Sequence, residues 1–299
     1  MRLAAVVIWY NPKTVSNLIQ NIESYSKFIK KVYIVDNSAE NNEELAKKIS
    51  NAIYIPNNKN LGIATAQNIG CKRAMNDGFD WVLTMDQDSM FAENHFSEYL
   101  ALADTAFIQD KSACCFAPMI VDPSKQILPV SVLIKSQIKK LLKYTLGKDF
   151  SKPKITRPPV EYPERVYASG NIINLTMWNS IGQFDDSLFI DEVDHEFCIR
   201  VKLNDFKIVR FNNVSLIHSL GARKRTFFLK CSYHNDFRLF YIFRNKLIVY
   251  KRYSKKANIG KIYRREIWGY IRDYCILDFK AAKHWWIFAK AFIAYRKIL

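Results

Sequence analysis

The first 90 residues alternate between two periodicities, and that alternation limits the fold more than any other feature of the chain. Leu3-Ala-Ala-Val-Val-Ile-Trp9 is a continuous apolar run ended by Asn11-Pro12, the pattern of a strand buried on both faces. Thr14 to Phe28 then reads as a helix starting after Pro12. Strand signals recur at Lys31–Asp36, at Ala52–Ile55 (stopped by Pro56) and at Trp81–Met85, with helical patterns at Glu43–Ile49 and Ala64–Asn76 between them. Four strands joined by helical crossovers predict an α/β fold with a mostly parallel, doubly wound sheet flanked by helices. Ligands of such sheets bind beyond the carboxyl ends of the strands. Attention therefore falls on Asn11, Asp36-Asn37-Ser38, Asn57-Asn58 and Asp86-Gln87-Asp88, which follow the four strands.

Further along, prolines 123, 129, 153, 158, 159 and 163 punctuate a Lys-rich stretch, read as a long excursion on the core over residues 122–165. Order returns at Val166, with helices near Thr176–Ile181 and over Val193–Leu203, and strands at Lys207–Phe211 and Val214–His218. After Gly221 the pattern is helical and basic. A chain of 299 residues suits one large α/β domain with an appendage, and 49% hydrophobic residues against 24% charged exclude a disordered protein. Arg2 leads straight into a strand, so no signal peptide is expected, and the longest uncharged stretch, Val166–Phe184, is too polar to span a bilayer. The six cysteines form no C-x-x-C pair, so they are expected to be buried or reduced thiols of a cytosolic protein rather than zinc ligands. The net charge of +17 is concentrated: residues 223–299 hold 20 Lys and Arg but only four acids. A basic tail attracts polyanions, either nucleic acid or an anionic membrane face.

Five motifs carry chemistry. Asp86-Gln87-Asp88 ends an apolar strand, where two carboxylates can share a divalent cation that binds a diphosphate; alone, D-x-D is also an ordinary solvated helix cap. Asp36-Asn37-Ser38 offers a carboxylate to a base or ribose, or equally a turn or N-cap. Asn58-Lys-Asn-Leu-Gly62, then Asn68-Ile-Gly70, form a polar loop feeding a helix N-terminus, suited to phosphate or ribose and also to plain capping. Asp191, Glu192, Asp194 and Glu196 crowd one helix start, where the helix dipole alone would favour them or where one could deprotonate an acceptor hydroxyl. His218, at a strand end, is a structural histidine or a candidate metal or phosphate ligand.

In this order and spacing the segments resemble the family 2 inverting glycosyltransferases with the GT-A fold, and among them most closely the bacterial rhamnosyltransferases. The resemblance runs from Val6 to about Asn245, through Val7–Asn11, Val35–Ser38, Asn58–Gly62, Leu83–Ser89, Gly182–Asp185, Phe189–Asp191, Glu196–Arg200 and Arg244-Asn245. It implies a Rossmann-like GT-A domain over 1–222, with a nucleotide-sugar half at about 1–120 and an acceptor half at about 165–222, and a basic helical extension over 223–299. It implies donor contacts from Asn11, Asp36, Asn58, Gly62, Asn68, Asp86, Arg244 and Asn245, and an Mg²⁺ or Mn²⁺ ion on Asp86, Asp88 and His218. Asp194 becomes the catalytic base, with Asp191 as the fallback because Val193 replaces the first acid of the family's Glu-Asp pair; Asp191, Glu196 and Arg200 face the acceptor. The implied reaction is a single displacement that inverts the sugar, with dTDP-L-rhamnose as donor and a glycan or polyprenyl-diphosphate-linked acceptor of bacterial surface polysaccharide synthesis. Another donor, UDP-galactofuranose or a UDP-hexose, stands as the alternative, and a nucleic-acid-binding protein as a distant one. Lys283, Lys290 and Lys297 recur every seven residues beside Trp285, Trp286, Phe292 and Ile293, which suits a cytoplasmic enzyme docked on the inner membrane face, or helices packed on the core with a solvated basic side.

Overall fold

The computed structural model describes residues 1–123, 157–218, 234–276 and 280–298. Four parallel strands, β1 (Leu3–Trp9), β2 (Val32–Asp36), β3 (Ala52–Pro56) and β4 (Trp81–Asp86), lie in the order β3-β2-β1-β4. Every residue of β1 is buried, as expected of a strand covered on both faces. On one face Val6 and Val35 meet Ala66 and Cys71 of α3 (Ile63–Asn76) and Phe197 of α6 (Val193–Leu203). On the other, Val7 and Ile34 meet Ile22 of α1 (Leu18–Ser26) and Tyr99 of α4 (His95–Gln109). The close approach of α3 requires Gly70, since a Cβ there would come within 2.3 Å of the Val6 side chain. The remaining helices are α2 (Glu43–Ala46), α5 (Leu175–Ser180), α7 (Asp236–Tyr253), α8 (Ala257–Tyr270) and α9 (Ala281–Arg296).

The sheet continues with β8 (Asn171–Asn174), antiparallel to both β4 and β6 (Ala113–Val121), and then with β9 (Lys207–His218), parallel to β6. Two short strands, β5 (Ser89–Phe91) and β7 (Val160–Glu161), run antiparallel to β9. The N-terminal half is thus wholly parallel, and β8 reverses direction at the middle of the sheet.

Several boundaries differ from the sequence reading. The first long helix starts at Leu18, because Asn17 takes a left-handed conformation (φ 60°) after a 3₁₀ turn at Pro12–Thr14. The two strands expected over 207–218 are one, β9, whose register against β6 shifts between Pro118 and Met119. Pro118 has no N–H for the ladder, so a break in register suits it. Strands β5 to β8 and helix α4 have no counterpart in the sequence reading. Most of the proline-rich excursion lies outside the described residues. From Asp236 onward the described residues are helical, and among them no helix is long and apolar enough to cross a membrane.

Candidate active site

Register brings the strand-end motifs together. Trp9 stands opposite Asp36, Ile8 opposite Asp86, and Asp36 opposite Pro56. Tyr10-Asn11, Asp36–Ser38, Asn57-Asn58 and Asp86–Asp88 therefore line one rim. Tyr10 and Gln87 cross-link it, each backbone–amide contact being 2.9 Å. Asn11 N donates to Ser38 Oγ at 2.8 Å, while its side chain is exposed, as is that of Asn58. Asp36 is 1% exposed, and its carboxylate accepts hydrogen bonds from Ser38 N, Asn42 Nδ2 and Tyr54 OH. It organises the turn at this rim. Gly62 adopts φ +84° and packs under Phe189, whose carbonyl accepts from Ile63 N. Asn68 is buried and bonded to Phe184 and Asp186, so it ties α3 to the opposite half of the molecule.

A short strand brings together a candidate metal-binding cluster. β5 follows β4 after two residues and pairs with the end of β9, with Ser89 directly opposite His218. One ligand atom each from Asp86, Asp88 and His218 lie within 4.8 Å of one another. His218 Nδ1 is 3.2 Å from Asp88 and 2.8 Å from Ser89 Oγ, and its Nε2 is 3.8 Å from Asp86. Ser169 completes the frame, accepting from Asp86 N at 3.1 Å and donating to Ser89 at 2.9 Å. Burial pushes the Asp86 carboxyl up to about 6; the His218 charge opposes this, while Asp88 and Asp194 add to it. For His218, burial pulls the imidazole down but is outweighed by the Asp88 hydrogen bond and the Asp86 charge, so the net shift is upward. Crowded carboxylates balanced by one imidazole are what a divalent cation relieves, and two carboxylates plus an imidazole fit its donor preferences.

Asp194 sits in the first turn of α6, its two oxygens accepting from Ala168 N (3.1 Å) and His195 N (2.9 Å). Asp191 is paired with Arg238, with three contacts between 3.0 and 3.2 Å, and burial still leaves its carboxyl raised. Glu196 and Arg200, read as facing an acceptor, spend their side chains internally. Arg200 forks onto Glu196 and reaches the Ile181 and Gln183 carbonyls, and Glu196 also takes Tyr253 OH. Arg244 and Asn245, read as donor contacts, are also buried, and bind backbone carbonyls of the 187–191 turn. Both pairs lie at helical positions that face the interior, a placement that motif matching does not convey.

Beside Asp194 lies a cavity of about 380 Å³ walled by Arg165, Tyr167, Ser169, Asn171, His195 and Arg210. Asn171 is 4% exposed, and its Oδ1 has no hydrogen-bond partner among the described residues. Sequence reading missed this wall. Ser169-Gly170-Asn171 stood out only as polar interruptions of an apolar stretch, which was the available signal.

Residues 5–146 match the family described as glycosyl transferase family 2. Over 255 residues the chain is 25% identical to the dTDP-rhamnosyl transferase RfbF of Shigella flexneri, covering 83% of this chain and 79% of that one. Among solved structures it superposes on S. aureus TarS 1-349 with a TM-score of 0.60 at 15% identity, covering 99% of this chain and 81% of that one. It also superposes on GalNAc-T7 with UDP, GalNAc and Mn²⁺, with a TM-score of 0.53 at 13% identity over 93% of this chain; it spans only 57% of that longer protein. Fold, rim and matches agree on the class: an enzyme, a glycosyltransferase whose residues 5–146 resemble family 2. In its particulars the chain is rhamnosyltransferase-like, resembling RfbF over most of its length.

Proposed function

We propose that this enzyme transfers L-rhamnose from dTDP-L-rhamnose, with inversion, onto a glycan or polyprenyl-diphosphate-linked acceptor in bacterial surface polysaccharide synthesis. The observation that carries the reading is the convergence of Asp86, Asp88 and His218 at the rim that Asp194 also faces electrostatically. The likeness to the dTDP-rhamnosyl transferase supports the donor.

Asp86, Asp88 and His218 would hold Mg²⁺ or Mn²⁺, whose chemistry there is to neutralise charge on the departing nucleoside diphosphate. Asn11, Asn58 and the Gly62 loop present polar groups to the nucleotide, above the turn that Asp36 braces. Asp194 removes the proton of the acceptor hydroxyl as the oxygen attacks the anomeric carbon. Its two amide contacts hold the carboxylate ready for that role. The acceptor sugar enters through the Arg165–Arg210 cavity, where a hydroxyl can donate to the orphaned Asn171 Oδ1. Exposed Trp268, Trp285 and Trp286 on the basic helices support docking on the inner face of the cell membrane. UDP in the GalNAc-T7 structure favours a second reading, in which the same machinery takes a UDP-sugar.

A donor screen tests this. Purified protein with Mg²⁺ or Mn²⁺ is expected to release dTDP from dTDP-rhamnose, with loss of at least about 100-fold in Asp88→Ala or after chelation. Release from a UDP-sugar alone would replace the donor and keep the class. Silence with every donor, together with no thermal stabilisation by any nucleoside diphosphate, would overturn the reading.

A further inference from the structure

The six residues from Ser187 to Glu192 join a 3₁₀ turn at Asp186–Leu188 to the start of α6. Three of them, Phe189, Asp191 and Glu192, have left-handed φ values of 63°, 61° and 64°. Side chains at such angles are strained and persist only where surrounding contacts over-determine the backbone. Those contacts come from three consecutive residues of α7. Asn245, fully buried, directs its Nδ2 at the carbonyls of Leu188 (2.8 Å), Ile190 (2.7 Å) and Asp191 (2.8 Å). Its Oδ1 accepts from Arg244 Nε at 2.9 Å, and Arg244 Nη2 covers the carbonyls of Ser187 and Leu188. Lys246 Nζ holds Glu192 at 2.6 Å, and Tyr263 OH on α8 donates to the same carboxylate. Buried polar and ionic groups stabilise a fold weakly compared with apolar side chains of similar volume. Three in a row on one turn suggest a geometric task instead.

The task is close at hand. Asp194 is two residues beyond Glu192, and the opposite side of its carboxylate is fixed by Ala168 N. We infer that Asn245 is a positioning residue that sets Asp194 through the Ser187–Glu192 turn, so that α7 completes the active site. The inference rests on the transferase reading above. It reassigns Asn245 from a donor contact to a residue that acts through the base. Only a carboxamide fits the place: a carboxylate of the same shape would face three carbonyl oxygens.

The test uses the full chain and donor hydrolysis, with water standing in for the unidentified acceptor. Because a misplacement of about 1 Å can cost about 100-fold in rate, Asn245→Ala is expected to lower kcat for dTDP release by about that factor, with KM for dTDP-rhamnose and stabilisation by dTDP with Mn²⁺ changing less than about threefold. Asn245→Asp falls at least as far. The double variant Asn245→Ala/Asp194→Asn is expected to be no slower than Asp194→Asn alone, because residues acting as a unit are not additive. Should Asn245→Ala fail to fold, Arg244→Lys weakens the same clamp and is expected to show the same non-additivity. Wild-type kcat in either variant, or a double variant slower than Asp194→Asn by the full single-mutant factor, overturns the inference while leaving the transferase intact. A wild type silent with every donor removes the transferase reading, and this inference with it.

Discussion

At Gly62 the backbone adopts φ +84° and ψ 164°, a combination that is essentially restricted to glycine. A Cβ would also meet the Phe189 ring at 2.6 Å and its carbonyl oxygen at 2.7 Å. Gly62→Ala is therefore expected to cost about 2–3 kcal/mol in urea unfolding and to weaken stabilisation by nucleoside diphosphate, since the Gly62 loop borders the rim. An unchanged unfolding midpoint would contradict the close approach. Some of this residue-scale design could be read in the chain itself. A D-x-D behind an apolar strand and an Asn-rich, Gly-containing loop announce polar groups at strand ends. The role of each side chain could not be read in the same way. Asp36, Asn68, Glu196, Arg200, Arg244 and Asn245 were all candidates for touching a ligand, yet each has its polar atoms bonded within the protein. A polar residue that binds a substrate and one that braces a turn can occupy the same sequence motif.

Between elements, a buried ion network ties the turn before α6 to α7 and α8. Glu192 contacts Lys246, Lys246 contacts Glu266, and Glu266 contacts Arg165 at 2.7 Å. Burial alone would raise the Glu192 carboxyl, but Lys246 and His195 outweigh it and hold the group well below the usual carboxylate range. Glu266 is lowered as well, where Arg165 and Lys246 overcome its burial. A depressed carboxylate stabilises the fold fully above its unfolded value of about 4.3, and that stabilisation is lost as pH falls through the folded value. The urea midpoint of the wild type is thus expected to drop steeply below about pH 5. Lys246→Met should start lower at pH 7, because it removes the lysine from buried Glu192 and leaves half-buried Glu266 with Arg165 alone, and should show a shallower acid decline; parallel pH profiles would refute this. The same scale shows where local pattern fails. β1, β2 and α6 follow from apolar runs and helix-start residues, whereas β5 spans three residues and β6 carries Pro118, so neither has a periodicity to detect.

Across the whole molecule, the C-terminal helices present two different faces. Inward, Phe243 of α7 stacks on Phe288 of α9 with ring centroids 4.1 Å apart, and Ile248 joins the main core. Outward, Trp285, Trp286 and Ile293 are 51%, 62% and 58% exposed, and Lys290 lies over the Trp286 ring. Aromatic rings and cations on one surface suit an anionic lipid interface, with about 1 kcal/mol for each basic residue near the headgroups. Flotation with vesicles containing anionic phospholipid is expected to carry the protein, and Trp285→Ser/Trp286→Ser to weaken that binding at least about tenfold. No flotation at moderate salt would mean that the basic face is simply solvated.

The alternating periods of the first 90 residues were enough to specify a parallel α/β half and the strand-end rim, because both depend on neighbours within a few residues, and composition alone set the charge of the tail. The site itself depends on pairings far apart in the chain. Ser89 meets His218 across 129 residues, and Asn245 reaches Asp191 across 54. Local periodicity carries no information about register between distant segments or about which buried polar groups face each other. Only the packed sheet, and α7 laid against the turn before Asp194, bring those groups within hydrogen-bonding distance.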